Sequence, residues 1–167
     1  MTEPHTPQTV NSTAFREAMS RIATAVHLVT TDGASGRAGA TVSAMCSVTD
    51  DPATILVCIN RESRLNAAIR DNGCFCLSTL GPEHEEVSNT FAGRGEQEME
   101  RRFDGLAFET MNSGAPALRD ARLNVDCRLD QAIEAGTHTV FFGRVTDIRL
   151  NDEGRSLLYV HRAYASA

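Results

Sequence analysis

Residues Thr41-Val42-Ser43-Ala44-Met45-Cys46-Ser47-Val48-Thr49 run into the turn Asp50-Asp51-Pro52, and Thr54-Ile55-Leu56-Val57-Cys58-Ile59 follows at once. The first run is β-prone yet built from small and hydroxylated side chains. The second is apolar on both faces and therefore reads as a central strand. It empties into Asn60-Arg61-Glu62-Ser63-Arg64. Small side chains let a flat ring lie against backbone, where N–H groups meet its heteroatoms. The polar segment offers hydroxyls, guanidinium forks and a helix N-terminus, which are the groups a phosphate needs. The pair of segments points to a phosphorylated aromatic ligand, such as a flavin, lying across a β-sheet.

The rest of the chain supports a sheet-based domain. Thr13 is placed to cap a first helix in which Phe15, Met19, Ile22 and Val26 recur at helical spacing. Val26 to Thr31 then reads as a strand ending at Asp32-Gly33, and one strand is expected from Ala40 to Val48. Ser63 is placed to cap a helix from Arg64 to Asn72, stopped by Gly73. Cys74 to Leu80 is a further strand, and Gly81-Pro82 opens a short helix with Val87 and Phe91 one turn apart, ended by Gly93. Residues 95–116 are weakly patterned, with Phe103, Leu106 and Phe108 as anchors. Leu123, Val125, Cys127 and Leu129 alternate with polar residues, as in a half-buried antiparallel strand. Val140 to Leu150 and Ser156 to Tyr164 complete six or seven strands and three short helices. Without regular βαβ alternation, the expectation is a mainly β, α+β fold: a closed or nearly closed antiparallel barrel with short flanking helices.

Composition narrows the functional classes. A net charge of −6 argues against a surface made to coat nucleic acid or an anionic membrane. The five cysteines lie in apolar segments without C-x-x-C or zinc-type spacing, so they read as buried free thiols suited to the cytoplasm. Residues 1–11 read as a polar, proline-bearing tail without a signal-peptide core, and residues 12–167 as one domain. The glycines at 33, 36 and 39 do not form G-x-G-x-x-G, and His27, His84 and His161 have no metal-ligand spacing. Glu96, Glu98, Glu100, Arg101 and Arg102 read as a solvated helix face.

Six segments, in order, resemble the short-chain flavin reductases. They are Phe15-Arg16-Glu17-Ala18-Met19, Val29-Thr30-Thr31-Asp32-Gly33, Gly39-Ala40-Thr41 through Asp51-Pro52, Leu56 to Arg61, Asn89-Thr90-Phe91-Ala92-Gly93 and Gly136-Thr137-His138. The pattern is most similar to the reductase components of two-component flavin monooxygenases, including those acting on 4-hydroxyphenylacetate or in pyrimidine ring opening. The resemblance implies an FMN-binding split β-barrel, usually a homodimer, that uses NADH or NADPH to reduce FMN or FAD for a separate oxygenase. It places flavin along Thr41, Val42, Ser43, Ala44, Met45, Ser47 and Val48. It also places Asn60, Arg61 and Ser63 near the phosphate and Phe91-Ala92 over the flavin. Gly136, Thr137 and His138 match the motif beside the nicotinamide, with His138 as the candidate catalytic residue. No metal is implied. A non-catalytic split-barrel module that holds FMN remains the alternative.

Overall fold

The computed structural model describes residues 10–95, 97–151 and 153–167. Its elements are α1 (Ser12–Ser20), β1 (Thr24–Ala25), β2 (His27–Thr31), β3 (Ala38–Val42), β4 (Met45–Asp50) and β5 (Ala53–Asn60). These are followed by α2 (Arg64–Asn72), β6 (Cys74–Thr79), a 3₁₀ turn (Pro82–His84), α3 (Glu85–Phe91) and a second 3₁₀ turn (Met99–Phe103). The chain ends with β7 (Phe108–Thr110), β8 (Pro116–Leu118), β9 (Leu123–Ala135), β10 (His138–Leu150), β11 (Leu157–Val160) and β12 (Ala163–Ser166).

Seven strands form one antiparallel sheet in the order β3-β2-β6-β9-β10-β5-β4. The two edge strands, β3 and β4, are consecutive in the chain and joined only by Ser43 and Ala44. So short a link forces the ends of the sheet together, and the sheet curls into a barrel split at that junction. This is also why the single strand expected from Ala40 to Val48 is two strands. Met45 N–H donates to the Ser43 carbonyl at 3.1 Å and Cys58 N–H to the Ala44 carbonyl at 3.0 Å, so the break is itself hydrogen-bonded.

Two apolar clusters hold the barrel. Val29, Val57, Ile59, Phe75, Leu77 and Phe141 meet inside it, joined by Leu65, Ala68 and Ile69 from the inner face of α2. Leu28, on the opposite face of β2, packs with Val26, Leu80, Phe91, Phe103, Leu118 and Leu157 beneath α3 and the small β1-β11-β12 sheet. Gly143 is required by the inner cluster: a Cβ there would overlap the Phe75 ring.

Several local expectations differ from the fold. The cap of α1 is Asn11, whose Oδ1 accepts Thr13 N–H at 2.7 Å, and the helix stops at Ser20. Phe15, Met19 and Ile22 are exposed, while Val26 lies beyond the helix in the core. On β9 the residues expected to face water are buried: Asn124 and Asp126 are both 0% exposed. Asn124 accepts Ser78 Oγ at 2.6 Å and donates to the Leu118 carbonyl at 3.1 Å. Asp126 accepts Ser113 N–H, Ser113 Oγ and Thr146 Oγ1. Full pairing is what makes their burial tolerable. Ser156 to Tyr164 is two strands, β11 and β12, divided at His161 and Arg162, which have φ of 51° and 61°. The strand count is twelve among the described residues, because three-stranded and two-stranded sheets flank the barrel. The acidic-basic cluster forms a single 3₁₀ turn over Met99–Phe103; Glu96 lies outside the described residues. Among the thiols, Cys74, Cys76 and Cys127 are buried, but Cys46 is exposed on edge strand β4 and Cys58 is half-buried.

Candidate active site

A cleft of about 530 Å³ opens where the barrel splits. Its floor is Gly39, Ala40, Thr41, Val42, Ser43 and Ala44, the end of β3 and its link to β4. Cys58, Ile59 and Asn60 come from the neighbouring end of β5. The close approach of a ligand to this floor requires small side chains, and Gly39, Ala40, Ser43 and Ala44 supply them.

One end of the cleft is suited to an anion. Ser63 has extended backbone and its Oγ accepts Leu65 N–H at 3.2 Å, so it caps the nine-residue α2 as expected. Ser63 and Arg64 both line the cleft, which puts the positive end of that helix at its edge. Arg102 reaches the same cleft from the second 3₁₀ turn, where its Nε donates to the Gln97 carbonyl at 3.2 Å. Arg64 also meets Glu100 at 3.3 Å, a contact between half-exposed groups that water screens. No carboxylate lines the cleft among the described residues, although the chain carries six more acidic than basic side chains.

The facing wall is α3. Phe91, Ala92 and Gly93 line the cleft, with Phe91 packed edge-on against Phe103 at 5.0 Å. A Cβ on Gly39 would come within 2.8 Å of the Phe91 ring, so Gly39 lets this wall close on β3. Thr41 Oγ1 donates to the Ser88 carbonyl at 2.7 Å, and Ser88 Oγ lies 2.8 Å from Tyr164 Oη. Floor and wall are therefore tied by hydrogen bonds as well as by packing.

His138 opens β10 and pairs across the sheet with Asn60 at the end of β5. His138 lines the cleft, is exposed, and its Nδ1 lies 2.9 Å from Thr137 Oγ1. The residues singled out from the sequence thus fall into three groups. Thr41, Val42, Ser43, Ala44, Asn60, Ser63, Phe91, Ala92 and His138 converge on the cleft. Met45 packs against the barrel core, and Ser47 and Val48 are exposed along β4, leading away from the cleft. Arg61, Gly136 and Thr137 line a separate shallow concavity together with Asn60 and Glu62. The Arg61 guanidinium is engaged there, 3.1 Å from Glu134. Sequence reasoning missed Met99 and Arg102 because residues 95–116 carry no periodic signal; the segment reaches the cleft through tertiary contacts, the packing of Phe103 on Phe91, the Gly39 N–H bond to Met99 Sδ and the Arg64–Glu100 pair.

The cleft fits a flavin on its own chemistry: a small-residue floor for a ring, a cationic helix end for phosphate and an aromatic wall. Comparison with known proteins gives the same direction. The flavin reductase like domain family matches residues 19–167. An FMN reductase (NADH) RutF 1 from Methylorubrum extorquens is 48% identical over 155 residues, covering 93% of this chain and 76% of that protein. RutF from Pseudomonas syringae pv. syringae is 46% identical, covering 93% and 86%. Among solved structures, BorF, the flavin reductase component of a bacterial two-component tryptophan halogenase, superposes with a TM-score of 0.86. It is 29% identical and covers 93% of this chain and 98% of its own. The styrene monooxygenase flavin reductase from Pseudomonas putida S12 gives 0.81 at 25% identity, covering 92% and 96%. A match running from the end of α1 through β12, with relatives near half identity, leaves one conclusion: the chain belongs to the flavin reductase like domain family.

Proposed function

We propose that the protein is an NADH-dependent flavin reductase that takes FMN in the split-barrel cleft and hands reduced flavin to a separate oxygenase. The observation that carries this is the pairing of a small-residue floor, Gly39 to Ala44, with the cationic end formed by Ser63, Arg64 and Arg102. The FMN and NADH preferences rest on the relatives' names.

Bound flavin supplies the redox chemistry, as acceptor of the hydride that reduced nicotinamide gives up. The chain supplies placement. Thr41 to Ala44 offer backbone donors and acceptors beneath the ring, Asn60 and Ser63 with the α2 N-terminus hold the phosphate, and Phe91-Ala92 exclude water from one side. His138 shapes the mouth where nicotinamide stacks, and its imidazole is available to the carboxamide. In the same reading Met45, Ser47, Val48, Arg61, Gly136 and Thr137, which do not line the cleft, are assigned no direct contact with the flavin ring. Hydride transfer needs rings held about 3–3.5 Å apart rather than an acid–base dyad.

We assign residues 12–167 to one domain and a homodimer to the working state. Phe15 and Met19 on α1, with Ile22 just beyond its end, present exposed apolar side chains, and Val48, Ile148 and Leu150 add others elsewhere. Among the described residues, no helix is long and apolar enough to cross a membrane.

The decisive experiment mixes purified protein with FMN and NADH and follows nicotinamide absorbance. Catalytic NADH consumption is the expected result. Tight FMN binding without turnover would instead favour a non-catalytic carrier. Sedimentation at micromolar protein tests the dimer.

A further inference from the structure

We propose that Glu134 is a positioning residue for His138, acting through a two-arginine clasp; the proposal rests on the nicotinamide role for His138 given above. Glu134 lies near the end of β9, one position before Ala135, which pairs with His138 across the hairpin. Its two carboxylate oxygens are shared: Oε2 is 3.1 Å from Arg61 and Oε1 is 3.2 Å from Arg70. Each arginine then grips the backbone or side chain beside His138. The Arg61 guanidinium Nη1 donates to the Gly136 carbonyl at 3.4 Å, on the same hairpin turn where the Arg61 main-chain N–H, independently of the side chain, donates to the Thr137 carbonyl at 2.9 Å. Arg70 Nη2 donates to Thr139 Oγ1 at 3.2 Å. One carboxylate therefore orients two guanidiniums, one on Gly136, two residues before His138, and one on Thr139, the residue after it.

The far side of the clasp is rigid. Arg70 lies on α2 and its Nε donates to Asn66 Oδ1 at 3.3 Å, while Asn66 Nδ2 donates to the Ile59 carbonyl at 3.1 Å. Asn66 is buried and the Arg70 guanidinium sits over the Phe141 ring at 5.6 Å. Hairpin tip, α2 and β5 are thereby locked into one unit, and it is β5 and α2 that carry Asn60 and Ser63. The clasp fixes where His138 stands relative to the phosphate end of the cleft. Because Arg61 and Glu134 are about half exposed, water screens the ion pair and its loss disturbs stability little. Loss of alignment at a reacting centre is felt far more strongly than loss of a surface charge pair.

A double-mutant cycle tests this. Glu134→Ala, His138→Ala and the double variant are compared for kcat/KM toward NADH, flavin affinity by fluorescence and melting temperature. Glu134→Ala is expected to lower kcat/KM for NADH about tenfold with flavin affinity within about twofold and little change in melting. Glu134→Gln, which keeps the shape and loses the charge, is expected to follow it. In the His138→Ala background the further loss from Glu134→Ala should vanish. An equal loss in both backgrounds overturns the clasp, as does an effect of His138→Ala with none from Glu134→Ala. If His138→Ala itself leaves NADH kinetics unchanged, the nicotinamide reading fails first and the clasp with it.

Discussion

Thr41 Oγ1 donates a 2.7 Å hydrogen bond to the carbonyl of Ser88, fastening the floor of the cleft to the helix that walls it. That carbonyl also accepts Ala92 N–H at 2.9 Å, so it keeps one partner when Thr41 is replaced. Thr41→Val, nearly equal in volume, is therefore expected to cost about 0.5–1.5 kcal/mol of stability. Flavin affinity should fall with it, because Phe91 and Ala92 lose their tether. Thermal melting and a fluorescence titration with FMN check the two effects; unchanged affinity would detach α3 from the ligand.

The α2 N-terminus separates phosphate recognition from helix capping. Arg64→Ala should weaken FMN binding by about 1.5–3 kcal/mol, or roughly ten- to hundredfold in Kd, with kcat at saturating flavin little altered. Ser63→Asp keeps an N-cap acceptor, so the fold should survive, but it sets a carboxylate where an anion has to sit. A folded Ser63→Asp variant with wild-type FMN affinity would refute the phosphate assignment. Arg61→Ala, by contrast, should act chiefly on NADH kinetics, since its guanidinium is turned to Glu134.

The thiols should report on the cleft. Cys46 is exposed and should alkylate first. Burial pushes the Cys58 thiol up, and Cys76 is driven to about 12 by burial and the neighbouring Asp126 carboxylate. Cys127 is raised by the same causes, with Cys76 beside it. Cys76 and Cys127 should stay unmodified until the protein unfolds, because the thiolate is the reacting species. Cys58 lines the cleft, so FMN should slow its labelling while leaving Cys46 unaffected. Peptide mapping after iodoacetamide treatment, with and without FMN, gives the answer.

His27 predicts a pH dependence. It is buried on β2 beside Thr79, and burial lowers its imidazole from 6.5 to about 4. Between those values the unfolded chain binds a proton that the folded chain refuses. The stability carried by neutral His27 is thus complete above about pH 6.5 and drains away as pH falls toward 4, by up to about 3 kcal/mol. Urea unfolding of the parent and His27→Gln across pH 4–7 should show a shallower acid loss in the variant. Parallel curves would mean that His27 is charged in the fold.

Local chemistry made much of this protein legible in its sequence. Ser63 before an amphipathic run and Gly73 after it specify α2, because capping and positive φ are properties of single residues. The small-residue run from Thr41 and the alternation of polar and apolar residues along β9 likewise declared strands. What the sequence did not declare were relationships between distant segments. Nothing local says that β3 and β4 are opposite edges of one sheet, so the break at Ser43-Ala44, which opens the cleft, was invisible. Asn124 and Asp126 look solvent-facing until Ser78, Leu118, Ser113 and Thr146 are folded around them. Arg61 and Arg64 are alike in sequence, three residues apart, yet only Arg64 lines the cleft because Glu134, more than seventy positions later, holds Arg61 elsewhere. Propensity and capping act within a few residues; sheet closure, burial of polar groups and the partner of a flexible cation are decided by contacts that exist only once the barrel has formed.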